Sequence, residues 1–600
     1  MKKIIIMAAA ALLTFTSCED FLDSQDYTGK NSTNFPSTTE DVDKMVAAVY
    51  KSCFYGPFQG NSLEQYFSVA NLMSDDMYGG AGLGDPWWQA LDKLMYAQTN
   101  QMQDLWTYGY ETIARANAAL SVIDNIADEE VRNQTKGELL FMRAYTYYNL
   151  VLAFNNIPFV EKAPETVAEA QVVPEQVEGK EIFKHIADDI YEATSIMPSY
   201  KYDGWQTLPF GKVSRWAAEA FLGRAFLFYT GFYGESSWPK TDGSAIDKAY
   251  VSEKLKDCID NSGHDLLPDY RSLWAYSNKS TAKDYEYVSD MPDKGTCYQE
   301  GNKEVLLAIN FQYQSKWSAE LHLTNQYGLF FGIRCDGNNQ DDARYHWRNT
   351  LTKEESDAGK TLQDINPTSV YPFSTGWGCG TVATNLVNDW KKAEPNDPRF
   401  DASILDMSKT KLDPGTFSDA VELTMYHQKK ITSVRSSGGK RYSWYLDEIG
   451  AKEDDNGNYQ ASNCTPLTIY RFADVLLMYS ELNKDAAPLN RVRARVGLPA
   501  VEYTEQNLRN ERRWELAFEG SRWDDLRRWG IAAEALSKQT GGVMYNQGKA
   551  TTMTYNNYAA RYNATKGFYR IPKSQIDLSG GKYKQNAGWE DDAANQFGGY

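Results

Sequence analysis

The sequence predicts a mainly α-helical protein built from pairs of amphipathic helices, with a long irregular stretch in its middle. Apolar residues recur at helical spacing in successive segments, which is the pattern of helices that bury one face. The segments come in pairs, and helix pairs that repeat are the tetratricopeptide pattern, whose period is near 34 residues. From about residue 241 to 465 the chain is instead rich in Gly, Asn, Asp, Tyr and Trp, and it shows few helical patterns.

The predicted helices lie on both sides of that stretch. On its N-terminal side, helices are predicted over residues 41–56, 63–73, 103–126, 134–154, 181–197 and 213–230. On its C-terminal side, helices are predicted over residues 469–482 and 489–496, followed by two short helices between Thr504 and Gly530. Within the irregular stretch, Val305–Phe311 predicts a short strand. Binding function is expected in such loop-rich insertions on a rigid scaffold.

Composition and charge exclude several classes of function. The net charge of −18 argues against a nucleic-acid backbone as partner. Seven cysteines without a Cys-x-x-Cys pair and five scattered histidines give no zinc-site pattern, so we expect no metal and no obligatory cofactor. The content of 40 Tyr and 16 Trp is high; these residues can belong to the core, but aromatic rings also stack on sugars and line binding surfaces.

The N-terminus resembles a lipoprotein signal. Two lysines precede the apolar run Ile4–Phe15, which is too short to span a bilayer and predicts a signal peptide over residues 1–17. The sequence Thr-Ser-Cys ending at Cys18 resembles a lipobox, which implies cleavage before Cys18 and its acylation. An ordinary signal peptide with an incidental cysteine is the alternative. Residues 18–40 are polar and predict a tether, so acyl chains would be the membrane anchor.

The densest charge cluster runs from Arg509 to Arg528, with six arginines, five acids and no lysine. Glu511, Glu515 and Glu519 form one i,i+4 column, and like charges at that spacing repel on an isolated helix. The column therefore predicts arginine partners in a partly buried ion-pair network. The predicted members of that network are Glu511, Arg512, Arg513, Glu515, Glu519, Arg522, Asp525 and Arg528. Thr504 is a predicted N-cap, and Ser521 with Asp524 predicts a capping box.

Residues Asn510–Trp529 resemble the signature of the SusD/RagB family of outer-membrane lipoproteins, with its Asn-Glu-Arg-Arg and Phe-Glu-Gly-x-Arg-Trp elements. The tail around Arg570–Trp589 resembles the closing motif of the same family, with Ala587 where proline is usual. The resemblance implies a right-handed superhelical scaffold of tetratricopeptide-like pairs. It implies an N-terminal helical region over residues 41–240 and a C-terminal region over 241–600, with a loop-rich insertion over 241–465 and closing helices over 466–530.

The resemblance also implies a function. A protein of this family would be a lipid-anchored, surface-exposed outer-membrane protein that binds an oligosaccharide and delivers it to a SusC-like TonB-dependent transporter, without catalysis. Two alternatives stay open: a RagB-like lipoprotein that binds peptides or proteins, and a glycoside hydrolase. The motif acids Glu515 and Glu519 do not fit a hydrolase, because they lie on one helix face among arginines, whereas catalytic carboxylates flank the scissile bond.

The first candidate glycan site is the glycine-rich loop from Ser74 to Trp88. Its glycine spacing does not fit a dinucleotide-binding fingerprint. Carboxylates can accept hydrogen bonds from sugar hydroxyls, and aromatic rings can pack on sugar faces. The two acids can instead serve as helix caps. The predicted glycan contacts in this loop are Asp75, Asp76, Tyr78, Trp87 and Trp88.

The second candidate site is the irregular middle of the chain. The predicted glycan contacts there are Tyr313, Trp317, Tyr327 and Trp347, with Trp377 as a further candidate. Any one of these rings can instead belong to the core, and the loops of the family vary too much for residue roles to be carried over from it.

Overall fold

A computed structural model of the chain describes residues 34–54, 66–81, 86–283, 285–291, 296–312, 324–332, 352–361, 372–373, 376–407, 423–434, 463–546, 549–590 and 592–597. The predicted signal peptide and four predicted functional residues lie outside these ranges: Cys18, Tyr313, Trp317 and Trp347. Within the described part of the chain, no helix is long and apolar enough to cross a membrane.

The N-terminal part of the chain is a succession of helices. They are α1 (Thr39–Phe54), α2 (Tyr66–Leu72), α3 (Pro86–Asp92), α4 (Gln103–Leu120), α5 (Glu129–Phe154), α6 (Val167–Ala170), α7 (Gly179–Ile196), α8 (Arg215–Tyr233) and α9 (Lys248–Asn261).

Shorter helices follow in the C-terminal part. They are α10 (Gln326–Phe330), α11 (Lys353–Asp357), α12 (Thr384–Ala393), α13 (Pro398–Ser403), α14 (Phe472–Asn483), α15 (Ala486–Arg495), α16 (Glu505–Glu515), α17 (Arg522–Arg528), α18 (Ala532–Ser537), α19 (Tyr558–Thr565), α20 (Lys573–Leu578) and α21 (Asp592–Asn595). Five single-turn 3₁₀ segments cover Ile123–Asn125, Tyr270–Leu273, Ala275–Ser277, Thr281–Lys283 and Glu286–Val288.

The long helices pack side by side in chain order. α1 lies on α4, α4 on α5, α5 on α7, α7 on α8, and α8 on α9. α14 then packs against both α8 and α9, and it also contacts α15 and α16. This array confirms the predicted mainly α, tetratricopeptide-like fold.

The strands are short and form two-stranded antiparallel ladders. They are β1 (Met77–Gly80) with β7 (Cys379–Val382), β2 (Ile157–Pro158) with β3 (Gln176–Val177), β4 (Trp238–Pro239) with β5 (Ala245–Ile246), β6 (Val305–Ile309) with β10 (Leu467–Arg471), β8 (Ile404–Asp406) with β9 (Tyr426–Gln428), and β11 (Val543–Asn546) with β12 (Lys549–Thr552). In the first ladder Met77 lies opposite Val382, and Gly80 lies opposite Cys379. This ladder joins the loop after α2 to the irregular region.

The two helix caps predicted in the charged run have different outcomes. Thr504 caps α16 as predicted, since its hydroxyl accepts a hydrogen bond from Asn507 N at 3.0 Å. The predicted capping box at Ser521 is wrong, because Ser521 has helical φ and ψ and its side chain makes no capping hydrogen bond. α16 ends at Glu515, and the turn that leads to α17 includes Gly520, whose φ of 78° favours glycine.

Several helices, α9 to α13, lie between residues 241 and 465, where the sequence predicted mainly loops. α9 is capped by Asp247, which accepts from Tyr250 N at 2.8 Å, and its buried face carries Val251, Leu255 and Cys258. These three residues follow helical spacing, but the surrounding polar composition concealed the pattern.

The first and last parts of the chain share a core. One continuous cluster of buried apolar side chains runs from Val42 to Trp589. A smaller cluster lies in the middle of the chain, around Tyr276 and Phe373. The main core includes residues from both sides of residue 240. The region boundary that the sequence predicts there stays a prediction.

Candidate functional site

The glutamate column of the charged run is buried against cations from four other segments. Glu511 accepts from Arg399 Nη1 at 2.5 Å and from Arg493 Nη1 at 3.0 Å. Glu515 lies 2.9 Å from Arg399 and 2.5 Å from Arg471, and it also pairs with Arg495. The repulsion within the column is therefore offset by cations that sequence spacing alone did not identify.

The third glutamate completes this column. Glu519 accepts from Arg471 Nε at 2.6 Å and from Lys430 Nζ at 2.8 Å. Lys430 is fully buried, and burial lowers the pKa of its ammonium group to about 8 although Glu519 lies beside it. The network therefore recruits a buried lysine as well as arginines.

The arginines of the motif pair in turn with distant acids. Arg512 Nη1 donates to Asp474 at 2.9 Å, and Arg512 Nε donates to Asp525 at 2.8 Å. Arg528 pairs with the same Asp525 at 2.7 Å and with Glu481 at 2.5 Å. These contacts fasten α16 and α17 to α14.

The electrostatics of the column do not suit acid–base catalysis. Burial alone would raise the pKa of Glu515, but Arg495, Arg471 and Arg399 hold the pKa of this carboxyl well below its usual range. A general acid needs a pKa near the working pH. Glu515 therefore stays ionised and serves to hold the helices together.

The two acids of the early loop belong to the same network. Asp75 accepts from Arg513 Nη2 at 3.0 Å and from Arg522 Nε at 2.8 Å. Asp76 accepts from Arg513 Nε at 2.8 Å. Both carboxyl residues are buried, with 1% and 2% exposure.

The pKa values of this acid pair shift in opposite directions. Burial would raise the pKa of Asp75, but Arg513 and Arg522 lower it. Burial and the neighbouring charge of Asp75 raise the pKa of Asp76 despite Arg513. Both residues are therefore members of structural ion pairs. The sequence had predicted that they contact glycan.

Three predicted glycan aromatics are core residues in the structure. Tyr78 is fully buried, and its hydroxyl donates to Gln539 O at 2.9 Å. Trp88 is fully buried, and Tyr327 is 1% exposed with its ring edge-on to Phe67. A sugar ring cannot reach these three side chains in the structure, so the prediction of glycan contact fails for them on burial.

Two glycines explain why the early loop is so tightly packed. A Cβ on Gly79 would lie 2.5 Å from Trp88 O, and a Cβ on Gly80 would lie 2.2 Å from Gly378 O. Gly80 also has a φ of 63°, which favours glycine. Gly79 and Gly80 therefore let β1 lie against both α3 and the segment before β7.

An aromatic cluster on this framework includes two half-buried tryptophans, Trp87 and Trp377. The Trp87 ring stacks on Trp88 with centroids 4.1 Å apart and an angle of 24° between the planes. Trp88 contacts Phe330 at 5.7 Å, and Phe330 meets Trp377 edge-on at 4.8 Å. We call these four residues the aromatic platform.

The backbone of the platform is held at several points. Gln101 Nε2 donates to Trp87 O at 3.0 Å, and Trp377 N donates to Leu329 O at 2.8 Å. Rigid aromatic planes of this kind can pack against the C–H face of a sugar. The prediction that Trp87 contacts glycan stays a prediction, whereas the sequence did not single out Phe330. The feature of the sequence that could have pointed to Phe330 is its place in the apolar run that follows Asn325.

The structure shows no metal centre at these places. Within the described ranges, no group of three or more His, Cys, Asp or Glu side chains is arranged to hold a metal ion.

Comparison with known proteins gives consistent matches along the chain. A curated SusD-like protein P2 from Formosa agariphila is 24% identical over 559 residues, which are 89% of this chain and 92% of that protein. A SusD-like protein from Bacteroides ovatus is 22% identical and covers 88% of this chain and 82% of its own length.

Solved structures match over similar lengths. A laminarin-binding SusD-like protein has a TM-score of 0.62 and 23% identity, covering 91% of this chain and 98% of its own. Surface glycan-binding protein A from Bacteroides thetaiotaomicron, in complex with laminarihexaose, has a TM-score of 0.65 and 17% identity, covering 92% and 100%. At these identities the likeness shows a shared fold.

Family models divide the chain between them. Residues 20–227 match a model described as starch-binding and associating with the outer membrane. Residues 334–589, which include the charged run and the cations that pair with its glutamates, match the SusD family model. This chain belongs to the SusD/RagB family.

Proposed function

We propose that this protein is a non-catalytic glycan-binding lipoprotein of the outer membrane, which presents its ligand to a SusC-like TonB-dependent transporter. The observation that carries the proposal is the aromatic platform, where half-buried Trp87 and Trp377 rest on the buried rings of Trp88 and Phe330. Family membership supports it, as do structural neighbours named for binding laminarin or laminarihexaose.

The platform suits a sugar because it is rigid and apolar. A pyranose presents C–H groups on a face, and those groups pack on an aromatic plane while its hydroxyls remain at the edge. Trp87 lies at the start of α3 with one face on Trp88, so it is oriented before ligand arrives. Preorganised rings lose little conformational freedom on binding, which favours affinity.

The absence of catalysis is part of the proposal. A glycosidase needs two carboxyl groups about 5–9.5 Å apart on either side of the bond, one of them with a raised pKa. Asp75 and Asp76, which the sequence singled out, both accept hydrogen bonds from Arg513. Binding without cleavage is the function that these surroundings support.

Membrane attachment in the proposal rests on Cys18 as the acylated residue, with surface exposure following from the family. Growth of cells with an alkyne-tagged fatty acid should label the wild type and leave a Cys18→Ala variant unlabelled. Equal labelling of both proteins would contradict the lipid anchor at this position.

A glycan array followed by isothermal titration calorimetry tests the ligand class. The wild type should retain at least one oligosaccharide, release it unchanged in length after prolonged incubation, and ignore a matched peptide array. Peptide retention without sugar retention would favour the RagB-like alternative, and shortened sugar products would favour a hydrolase. Co-purification of a TonB-dependent transporter from detergent-solubilised outer membranes tests the partner.

A further inference from the structure

A polar cavity of about 320 Å³ lies between α12, α16 and α18, at the start of α17. It shares no residue with the aromatic platform. Its charged lining consists of Arg509, Arg513, Arg522, Lys538, Asp75, Asp389 and Glu534. The basic side chains outnumber the acidic ones by one, in a protein whose net charge is −18. The cavity is also large enough for a small ligand, since such pockets usually measure about 300–1,000 Å³.

Among the described residues, no group uses one of the donors of Arg522. Its Nε and Nη2 donate to Asp75 at 2.8 and 3.0 Å. Its Nη1 donates no hydrogen bond there, and unlike the unpaired nitrogens of Arg527 it is accessible. The side chain as a whole is 11% exposed and lines the cavity. A nearly buried guanidinium therefore keeps an open N–H beside a space that a ligand can enter.

Arg509 adds a second cation with open donors to the same lining. Its Nη2 donates to Glu505 at 3.3 Å, and its guanidinium lies 5.2 Å from the ring centroid of Trp529. Within the described ranges it makes no other hydrogen bond. Guanidinium groups donate charge-assisted hydrogen bonds to carboxylates, and these are about twice as strong as neutral ones. Two such groups on one cavity favour an oxyanion as its occupant.

Asp389 supplies an acceptor on the opposite charge. Its Oδ2 accepts from Arg513 Nη1 at 2.8 Å, which fixes the carboxylate at the cavity wall. Its Oδ1 accepts no hydrogen bond from any described residue, and the side chain is 41% exposed. Sulfate has no donor for this oxygen and is repelled by its charge, whereas a sugar hydroxyl can donate to it. The lining therefore suits a ligand that carries both an anionic group and hydroxyls.

We infer that this cavity binds a uronate, a sugar whose carboxylate pairs with Arg509 and Arg522 and whose hydroxyl donates to Asp389. The choice of a sugar as the carrier of the carboxylate rests on the proposed glycan-binding function. The inference extends that function to acidic sugars and places their recognition at α16 and α17, apart from the aromatic platform.

Two variants remove donors of the site, and a third is their control. Arg509→Gln removes one cation whose only ion pair, to exposed Glu505, contributes little to stability. Arg522→Lys keeps a positive charge for Asp75 but lacks the planar fork that can serve Asp75 and a ligand together. Lys392→Gln is the control, because Lys392 is exposed on α12 and does not line the cavity. Circular dichroism and thermal unfolding check that each variant is folded.

The probe is sodium glucuronate, titrated by saturation-transfer NMR at constant ionic strength, because salt screens such contacts. Glucose, sodium sulfate and sodium glutamate serve as competitors in separate titrations. The wild type should bind glucuronate about tenfold more tightly than any competitor. Arg509→Gln and Arg522→Lys should each weaken glucuronate binding about tenfold, while Lys392→Gln stays within about twofold of the wild type.

Several results would overturn the inference. Absence of glucuronate binding would do so, as would equal binding by the wild type and both arginine variants. Tighter binding of sulfate or glutamate would also overturn it, because the cavity would then select a bare oxyanion or an amino acid.

Failure of the cavity and failure of the proposed function are distinguishable. The results above leave the platform untouched, because its test uses oligosaccharides and Trp87→Ala. An array that retains no oligosaccharide overturns the proposed function. Glucuronate binding that is lost in Arg509→Gln and kept in Lys392→Gln would still support the cavity as a uronate site.

Discussion

Trp529 in the charged run and Trp87 near the early loop are both half-buried, but their rings meet different neighbours. Trp529 lies under two guanidinium groups, with Arg528 at 4.7 Å and Arg509 at 5.2 Å from its ring centroid, and its Nε1 donates to Glu481. Trp87 stacks on another indole, Trp88. The first ring is engaged by the protein's own cations, whereas the second extends an aromatic surface.

The same contrast separates the two segments as wholes. Ion pairs to other segments hold residues 509–529 in place, and these pairs are internal to the protein. The acidic residues of segment 74–81 pair with arginines of that same network, whereas the aromatic residue Trp87 that follows is half-buried. A charged residue close to an aromatic ring in sequence therefore does not by itself indicate a ligand site. The residue's ion-pair partner must also be known.

The largest effect should come from the centre of the network. Glu515→Gln leaves three buried arginines with a neutral partner, so we expect the free energy of unfolding to fall by about 3–5 kcal/mol. Denaturant unfolding measures this. Glu505→Gln on the same helix is the control, because Glu505 is 68% exposed and should change stability by less than about 0.5 kcal/mol.

Glycan affinity of folded Glu515→Gln protein should equal that of the wild type. Loss of glycan binding in a fully folded variant would show that the binding site lies at the ion-pair network and not at the aromatic platform.

The next effect tests whether Asp75 belongs to the network or to a binding surface. Asp75→Asn weakens contacts to Arg513 and Arg522, so we expect a loss of about 3 kcal/mol in unfolding free energy, with unchanged glycan affinity. Asp577→Asn is the control, since Asp577 is 60% exposed. Unchanged stability together with weaker binding would restore Asp75 as a ligand contact.

A third effect distinguishes two kinds of acid within the charged run. Asp524 is held by the hydroxyl of Tyr66 at 2.6 Å, and burial raises its pKa to about 6, although Tyr66 and Arg527 act to lower it. Because the folded pKa lies above the unfolded value, this group stabilises the fold below about pH 4, and that contribution is lost as the pH rises through 6.

Asp524→Asn cannot lose a proton, so it should escape this loss. The stability of the variant relative to the wild type should rise by about 2–3 kcal/mol between pH 4 and pH 7. Urea unfolding across this pH range measures the difference. Parallel pH profiles for the two proteins would show that Asp524 titrates normally.

The smallest effect in free energy is the one that defines the platform. Trp87→Ala should weaken glycan binding about tenfold, or about 1.4 kcal/mol, with little loss of stability because the ring is half-buried. Trp88→Ala should instead cost about 3–5 kcal/mol of stability, as expected for a fully buried aromatic residue. Tyr191→Ala, at an exposed aromatic residue, is the affinity control. Equal affinity in Trp87→Ala would remove the platform from the proposal.

The sequence sufficed for elements that depend on local pattern. Helical periodicity predicted most of the long helices, and the cap at Thr504 was read from its residue type. It failed where the outcome depends on contacts between distant residues. Asp75 meets Arg513 across 438 residues, and no spacing rule reveals such a pair.

Adjacent residues on one helix gave a second kind of failure. Trp87 and Trp88 have the same chemistry, but they point about 100° apart on α3, so one is half-buried and the other fully buried. The packing of Phe330 and Phe331 against Trp88 places this tryptophan in the core, and no local sequence pattern reveals that contact.

The pairing of Asp76 with Arg513, 437 residues later, also constrains the order in which the chain can fold. Because Asp76 precedes Arg513 along the chain, it leaves the ribosome before its partner. During that interval the early helices lack both arginines that hold Asp75 and Asp76, and they lack the late helices that cover their core. Completion of the last helix pair is thus the step that closes the native structure, and a chain that stops before residue 513 has no route to it.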